Sequence, residues 1–299
     1  MHVLIHDRET RCVTDTKGSR LPRLIADQFA DIGGIVENWR VYGVSVPGEQ
    51  HLRAGLECQD AYRWRYCPEA SALALAVADG AGSRPRASEG STMAVGIATT
   101  SIATRLKRGR PTSARAWRGL MTLTLRETVR TLRRATQVLR SENSSDAFAS
   151  TLTVVVLAPP ITAVLSVGDG FVVVRTSSPS LRALDQRVHL VLPPPPVLGE
   201  YANETTFLSS SDALKHARVD VIWDPGLTGV VLSTDGCASA ALTIEQGGAT
   251  RAHNGFFQGL LAYVQAEDPD LGRVLRFLTG PEIARTSGDD KTLLVALAP

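Results

Sequence analysis

The sequence predicts an α+β domain, and three observations carry that expectation. Short apolar or alternating runs lie on both sides of a central pair of helical segments. The resulting order is strands, two helices, strands, helices and a last strand, without regular βαβ alternation. The central segments carry apolar residues at about four-residue spacing. Several apolar runs stop at an aspartate in a glycine-containing turn.

Taken in order, residues 1–40 have mixed polarity and read as an N-terminal extension, with a short helix expected over Leu21–Phe29. Residues 41–299 then form the domain. Tyr42–Val46 and Ala61–Tyr66 have strand character, and the apolar run Leu73–Ala78 ends in Asp79-Gly80-Ala81-Gly82. Ser88 is the expected N-cap of a helix in which Ala94, Ala98, Ile102 and Leu106 recur every fourth residue. Beyond Pro111, a second helix presents Trp117, Met121, Leu125, Val129, Leu132 and Leu139 on one face. Strands follow at Thr151–Leu157, Ile161–Val167 and Phe171–Arg175, and Gly168-Asp169-Gly170 reads as a hairpin-type turn between the last two. Pro193–Pro196 cannot belong to a central strand. Gly229–Thr234 is a strand ending in Asp235-Gly236. Helices are expected over Gly255–Gln265 and Leu271–Leu278, and Thr292–Ala298 closes the domain.

Composition narrows the function classes. With 43% hydrophobic and 21% charged residues over 299 positions the chain can build a sizeable core, and a net charge of +2 predicts no particular partner. Cys12, Cys58, Cys67 and Cys237 lack CxxC spacing, which argues against a zinc knuckle or a disulfide framework and suits free thiols in the cytoplasm. No apolar run approaches the ~20 residues that span a bilayer, and the polar start of the chain does not read as a secretory signal. Between Arg105 and Arg140 eleven basic residues face one acid, Glu127. A solvated helix face accounts for them, and with no aromatic residues interleaved nucleic acid is not the expected partner.

The chemistry lies in the turns. Asp79-Gly80, Asp169-Gly170, Asp235-Gly236 and Asp289-Asp290 follow or precede strands, and Asp60 stands at the entry to another. Any one is an ordinary turn dipeptide. Together, at strand ends, they would repel one another unless cations neutralised them. All-oxygen ligation favours Mg²⁺ or Mn²⁺ over zinc, and two such ions can activate water against a phosphoryl group.

The motifs resemble those of the bacterial branch of the type 2C, metal-dependent serine/threonine phosphatases. They run through Val44-Ser45-Val46-Pro47-Gly48, His51, Cys58-Gln59-Asp60-Ala61 and Ala76-Val77-Ala78-Asp79-Gly80 to Val167-Gly168-Asp169-Gly170. Ser233-Thr234-Asp235-Gly236 and Asp289-Asp290-Lys291-Thr292 complete the series, from about Tyr42 to Leu297. The resemblance implies two packed antiparallel sheets flanked by helix pairs, with metals in a cleft at one end. It implies that Asp79 bridges two Mg²⁺ or Mn²⁺ ions, that the Gly80 carbonyl binds one, and that Asp235 and Asp289 complete the first ion's shell. Asp60 would hold water on the second ion, and Asp169 would help bind a loosely held third. A hydroxide between the metals would attack phosphoserine or phosphothreonine in a protein substrate, opposing a Ser/Thr kinase.

Two departures stand out. Gly55 occupies the place where many relatives carry an arginine for phosphate, and Ala81 the place where eukaryotic members carry a proton-donating histidine. His51 and Arg53 are the candidate substitutes, since histidine as a residue type exchanges protons near neutral pH. Asp290 stands where asparagine is usual and would lie behind the ligands. The departures leave open a non-catalytic, phosphoprotein-binding relative, which the retained aspartates oppose.

Overall fold

The computed structural model describes residues 33–138, 146–178, 188–192, 205–245, 250–265 and 271–298. The helix expected over Leu21–Phe29, the proline run Pro193–Pro196, Leu139 and Cys12 lie outside these residues.

Thirteen strands are described. One antiparallel sheet of six contains β1 (Gly33–Val36), β2 (Trp39–Val46), β13 (Lys291–Leu297), β10 (Leu227–Ser233), β7 (Phe171–Thr176) and β8 (Val188–Leu192), in that spatial order. A second antiparallel sheet of five runs β3 (Ala61–Cys67), β4 (Ala72–Ala78), β5 (Leu152–Ala158), β6 (Ile161–Val167) and β9 (Arg218–Trp223). A small hairpin of β11 (Leu242–Ile244) and β12 (Thr250–Ala252) stands apart. The principal helices are α1 (Glu49–Ala54), α2 (Ala87–Leu106) and α3 (Ala114–Val138), followed by short α4 (Ala213–His216) and α5 (Ala238–Ala241), then α6 (Asn254–Gln265), α7 (Leu271–Thr279) and α8 (Pro281–Ala284).

Strand periodicity explains how the layers assemble. In β4 the small residues Ala72, Ala74, Ala76 and Ala78 pack with α2 and α3, whereas Leu73, Leu75 and Val77 point into the space between the sheets. In β13 Leu294 and Ala296 face that same space, and Leu293, Val295 and Leu297 pack with Phe256, Phe257 and Leu260 of α6. Both faces of each sheet are therefore covered, so β4, β5 and β13 are buried along their whole length and read as continuous apolar runs. On α3, Trp117, Met121, Leu125, Val129 and Leu132 are buried. Arg115, Arg118, Arg126, Arg130, Arg133 and Arg134 are exposed, so the basic cluster is the solvated side of an amphipathic helix. The result is the expected four-layer order of helices, sheet, sheet and helices.

Several expectations are corrected. The six-stranded sheet begins before residue 41, because β1 pairs with β2 in the register Gly33↔Tyr42 to Val36↔Trp39. Gly168-Asp169-Gly170 does not close a hairpin. Strand β6 pairs with β5 and β9, and β7 with β10 and β8, so this turn carries the chain from one sheet to the other. Helix α2 starts at Ala87 with Arg86 in the capping position, so Ser88 lies inside its first turn.

Candidate metal centre

The expected acidic positions lie where strands of the two sheets begin, end or cross. Asp60 precedes β3 and Asp79 follows β4 in the five-stranded sheet. Asp235 follows β10 and Asp289 and Asp290 precede β13 in the six-stranded sheet, while Asp169 sits on the crossing between them.

The Asp79 turn is stitched to the start of β5. The Asp79 amide donates to Thr151 Oγ1 at 2.9 Å, the Thr151 amide to the Asp79 carbonyl at 2.8 Å, and the Ala81 amide to the Ala149 carbonyl at 2.9 Å. These ladder bonds flank Gly80 and leave its own carbonyl outside them. Glycine is needed here because a Cβ would lie 2.7 Å from the Ala87 carbonyl oxygen and 2.8 Å from that of Gln59. Gly236 is tighter still: a Cβ there would lie 1.8 Å from the Asp290 carbonyl oxygen. That approach brings the Asp235 turn against the chain segment carrying Asp289.

Carboxylate oxygens of Asp79, Asp169 and Asp235 come within 4.8 Å of one another. Asp169 Oδ2 accepts a hydrogen bond from Thr205 Oγ1 at 2.6 Å, while Asp169 Oδ1 and Asp235 Oδ1 are buried without a hydrogen-bond partner. Asp60 is buried behind this group; its Oδ2 accepts from Thr234 Oγ1 at 2.8 Å and its Oδ1 is likewise buried and unpartnered. Asp289 is exposed at the rim. Its carboxylate accepts from the Asp290 amide at 3.0 Å, and its carbonyl accepts from Lys291 Nζ at 2.8 Å. Lys291 is itself buried and also reaches the Ser287 carbonyl at 2.8 Å, which fixes the loop holding Asp289.

Burial and mutual repulsion raise the proton affinity of these acids. Burial pushes Asp235 up to about 7, helped by the charges of Asp169 and Asp289. Burial and then the Asp290 charge raise Asp60 to about 7, against hydrogen bonds from Thr292 and Thr234. Asp79 is raised well above the usual carboxylate range by burial and by its neighbours Asp60, Asp235 and Asp289. Crowded carboxylates with unpartnered, buried oxygens and no nitrogen or sulfur donor among them suit a hard divalent cation. The residues present fit Mg²⁺ or Mn²⁺.

Asp290 was expected behind the ligands, and its carboxylate meets three donors. Its Oδ1 accepts from the Gly48 amide at 2.7 Å and from His51 Nδ1 at 2.8 Å, and its Oδ2 accepts from the Gln59 amide at 2.6 Å. Arg53 pairs with Glu49 at 2.5 Å on the exposed side of α1, so its guanidinium is engaged at the surface. Cys58 and Cys237 are buried free thiols pushed upward by burial, so packing is their role. Thr234 and Lys291 were missed as supporting residues, although both lie within the motifs that flagged Asp235 and Asp289.

A four-layer sandwich in which acidic turns of the two sheets meet is the arrangement that the resemblance to the type 2C phosphatases implied. Comparison with known proteins agrees: residues 47–276 match the family model for protein phosphatase 2C, and the chain belongs to that family. It is 31% identical over 266 residues to serine/threonine-protein phosphatase 3 of Escherichia coli (strain K12), covering 87% of this chain and 98% of that protein. Among solved structures it is similar in fold to serine-threonine phosphatase 2C from Toxoplasma gondii, with a TM-score of 0.61, 13% identity and coverage of 89% and 97%. The S. agalactiae serine/threonine phosphatase gives 0.60, 14% identity and coverage of 87% and 100%. The chain is thus a metal-dependent protein phosphatase. Among the described residues no helix is long and apolar enough to cross a membrane.

Proposed function

We propose that the protein removes phosphate from phosphoserine and phosphothreonine in protein substrates, with two Mg²⁺ or Mn²⁺ ions held by Asp60, Asp79, the Gly80 carbonyl, Asp235 and Asp289. A third, looser ion would sit beside Asp169. The observation that carries this reading is the convergence of Asp79, Asp169 and Asp235 with buried, unpartnered oxygens. The E. coli relative, named a serine/threonine-protein phosphatase, supports the substrate class. When bound, the ions supply the Lewis acidity that activates water and offsets charge on the phosphoryl oxygens.

The chain's own residues do the positioning. Asp79 joins the acids of the two sheets, Asp60 orients water from behind, and the Thr234 hydroxyl holds Asp60 in place. His51 stands beside the Asp79–Gly82 loop as the proton donor. Among the described residues, the buried free thiols Cys58, Cys67 and Cys237 suit a reducing cytoplasm, where a Ser/Thr kinase would supply the substrate.

The test uses the purified protein with p-nitrophenyl phosphate and a phosphothreonine peptide. Phosphate release should require Mn²⁺ or Mg²⁺ and stop with EDTA. Asp79→Asn and Asp235→Asn should each lower it by about 100-fold or more. Undiminished turnover in either variant would sink the ligand assignment.

A further inference from the structure

Asp290 replaces a neutral residue of the motif with a carboxylate, and its surroundings show how that charge is used. Its side chain is 1% exposed and meets three donors from two separate segments: the Gly48 amide, His51 Nδ1 and the Gln59 amide. A carboxylate is acceptor-only, so the proton on this contact belongs to His51 Nδ1. That fixes the ring's tautomer and its orientation. The other ring nitrogen faces the metal loop, because a Cβ on Gly82 would lie 3.6 Å from His51 Nε2. The His51 side chain is 13% exposed, so part of the ring still reaches solvent. Helix α1, which carries His51, buries none of its own residues; the Asp290 contacts and the Gln50 amide bond to the Gly288 carbonyl at 3.1 Å tie it to the domain.

We propose that Asp290 is the positioning residue for His51, and that the pair delivers the proton to the leaving oxygen. The inference rests on the phosphatase reading above and adds the group that replaces the missing histidine at Ala81. In the step, a water oxygen forms a bond to phosphorus while the ester P–O bond breaks and its electron pair stays on the serine or threonine oxygen. The ring enters the step doubly protonated, with Nδ1–H on Asp290 and a second proton on Nε2. The leaving oxygen takes the Nε2 proton, and the neutral Nδ1–H ring that remains is reprotonated at Nε2 from solvent while the attacking water's proton leaves to solvent. Asp290 holds the ring with Nε2 towards the Asp79–Gly82 loop, the positioning part an aspartate plays beside a catalytic histidine.

Leaving-group chemistry supplies the test. p-Nitrophenolate departs readily without a proton, whereas a serine alkoxide does not, and acid catalysis contributes typically 10²–10⁴-fold. Asp290→Asn and His51→Gln should therefore depress kcat on a phosphoserine peptide at least about 30-fold more than on p-nitrophenyl phosphate. The double variant should be no slower than His51→Gln alone. Independently of turnover, ¹⁵N spectra of the metal-free protein, assigned by the signal lost in His51→Gln, should show His51 protonated at Nδ1, with that preference lost in Asp290→Asn. Equal losses on the two substrates, multiplicative losses in the double variant, or a wild-type ring not protonated at Nδ1 would each overturn the pairing. A wild-type protein that hydrolyses neither substrate with Mn²⁺ would overturn the phosphatase reading itself, whatever the spectra show.

Discussion

Thr234 Oγ1 donates to Asp60 Oδ2 at 2.8 Å and accepts the Thr292 amide at 3.1 Å, so one hydroxyl couples a carboxylate of one sheet to the backbone of the other. Both partners are buried. Replacing Thr234 by valine keeps the shape but takes from the buried Thr292 amide this acceptor and from the buried Asp60 carboxylate one of its hydrogen bonds. A loss of about 1–3 kcal/mol in urea unfolding is expected, together with a higher Mn²⁺ requirement in phosphate release.

Gly236→Ala should be more damaging than its small size suggests. The added methyl group would lie 1.8 Å from a backbone oxygen of Asp290, and backbone cannot swing aside as a side-chain tip does. The Asp235 turn must then move away from Asp289. Calorimetric titration should show Mn²⁺ affinity reduced about 10-fold or more. Gly119→Ala, in α3 with open space around it, should instead raise helix stability by about 0.5–1 kcal/mol.

The raised acids set the pH dependence of the metal-free protein. Asp60 and Asp235 hold protons in the folded state up to about pH 7, whereas in the unfolded chain they release them near the ordinary aspartate value. The folded state binds more protons in that window, so stability is greatest at its acidic end and declines as pH rises through about 7. In EDTA the Tm should fall by several degrees between pH 6 and pH 8. Saturating Mn²⁺ should reverse the trend, because deprotonation then favours ligand binding. A Tm in EDTA that climbs with pH over this range would contradict the picture.

The same repulsion predicts a trade between stability and activity. Asp235→Asn removes a charge from a crowded, buried group, so the metal-free variant at pH 8 should melt higher than the wild type while losing turnover. Mn²⁺ at 100 times its Kd should stabilise the wild type by about 2.7 kcal/mol and the variant by less, as read by thermal shift.

The sequence made the acidic turns visible because each apolar strand must stop somewhere, and Asp-Gly marks the stop. The same rule misled at Gly168-Asp169-Gly170. Turn chemistry there favours a hairpin, yet β6 and β7 are apolar on both faces, and nothing local says that they belong to different sheets. Strand β9 went unread because Arg218 and Asp220 interrupt its apolar pattern, and only pairing with β6 makes it a strand. Asp290 was undervalued for a similar reason. Beside Asp289 it looks like one of two solvated acids, whereas the amides of Gly48 and Gln59 that hold it lie more than 230 positions away.

The distribution of the acids over the two sheets has a mechanical side. Asp60 and Asp79 belong to one sheet, Asp235 and Asp289 to the other, and the chain itself crosses at Asp169. Cations between them would act as a clasp on the open end of the sandwich, resisting its splaying as well as serving chemistry. Amides of Thr151 and Thr292 would then exchange with deuterium more slowly when the clasp is shut. A cell short of divalent metal would hold a looser molecule, more easily cut by proteases, and the pool of enzyme would shrink along with its activity.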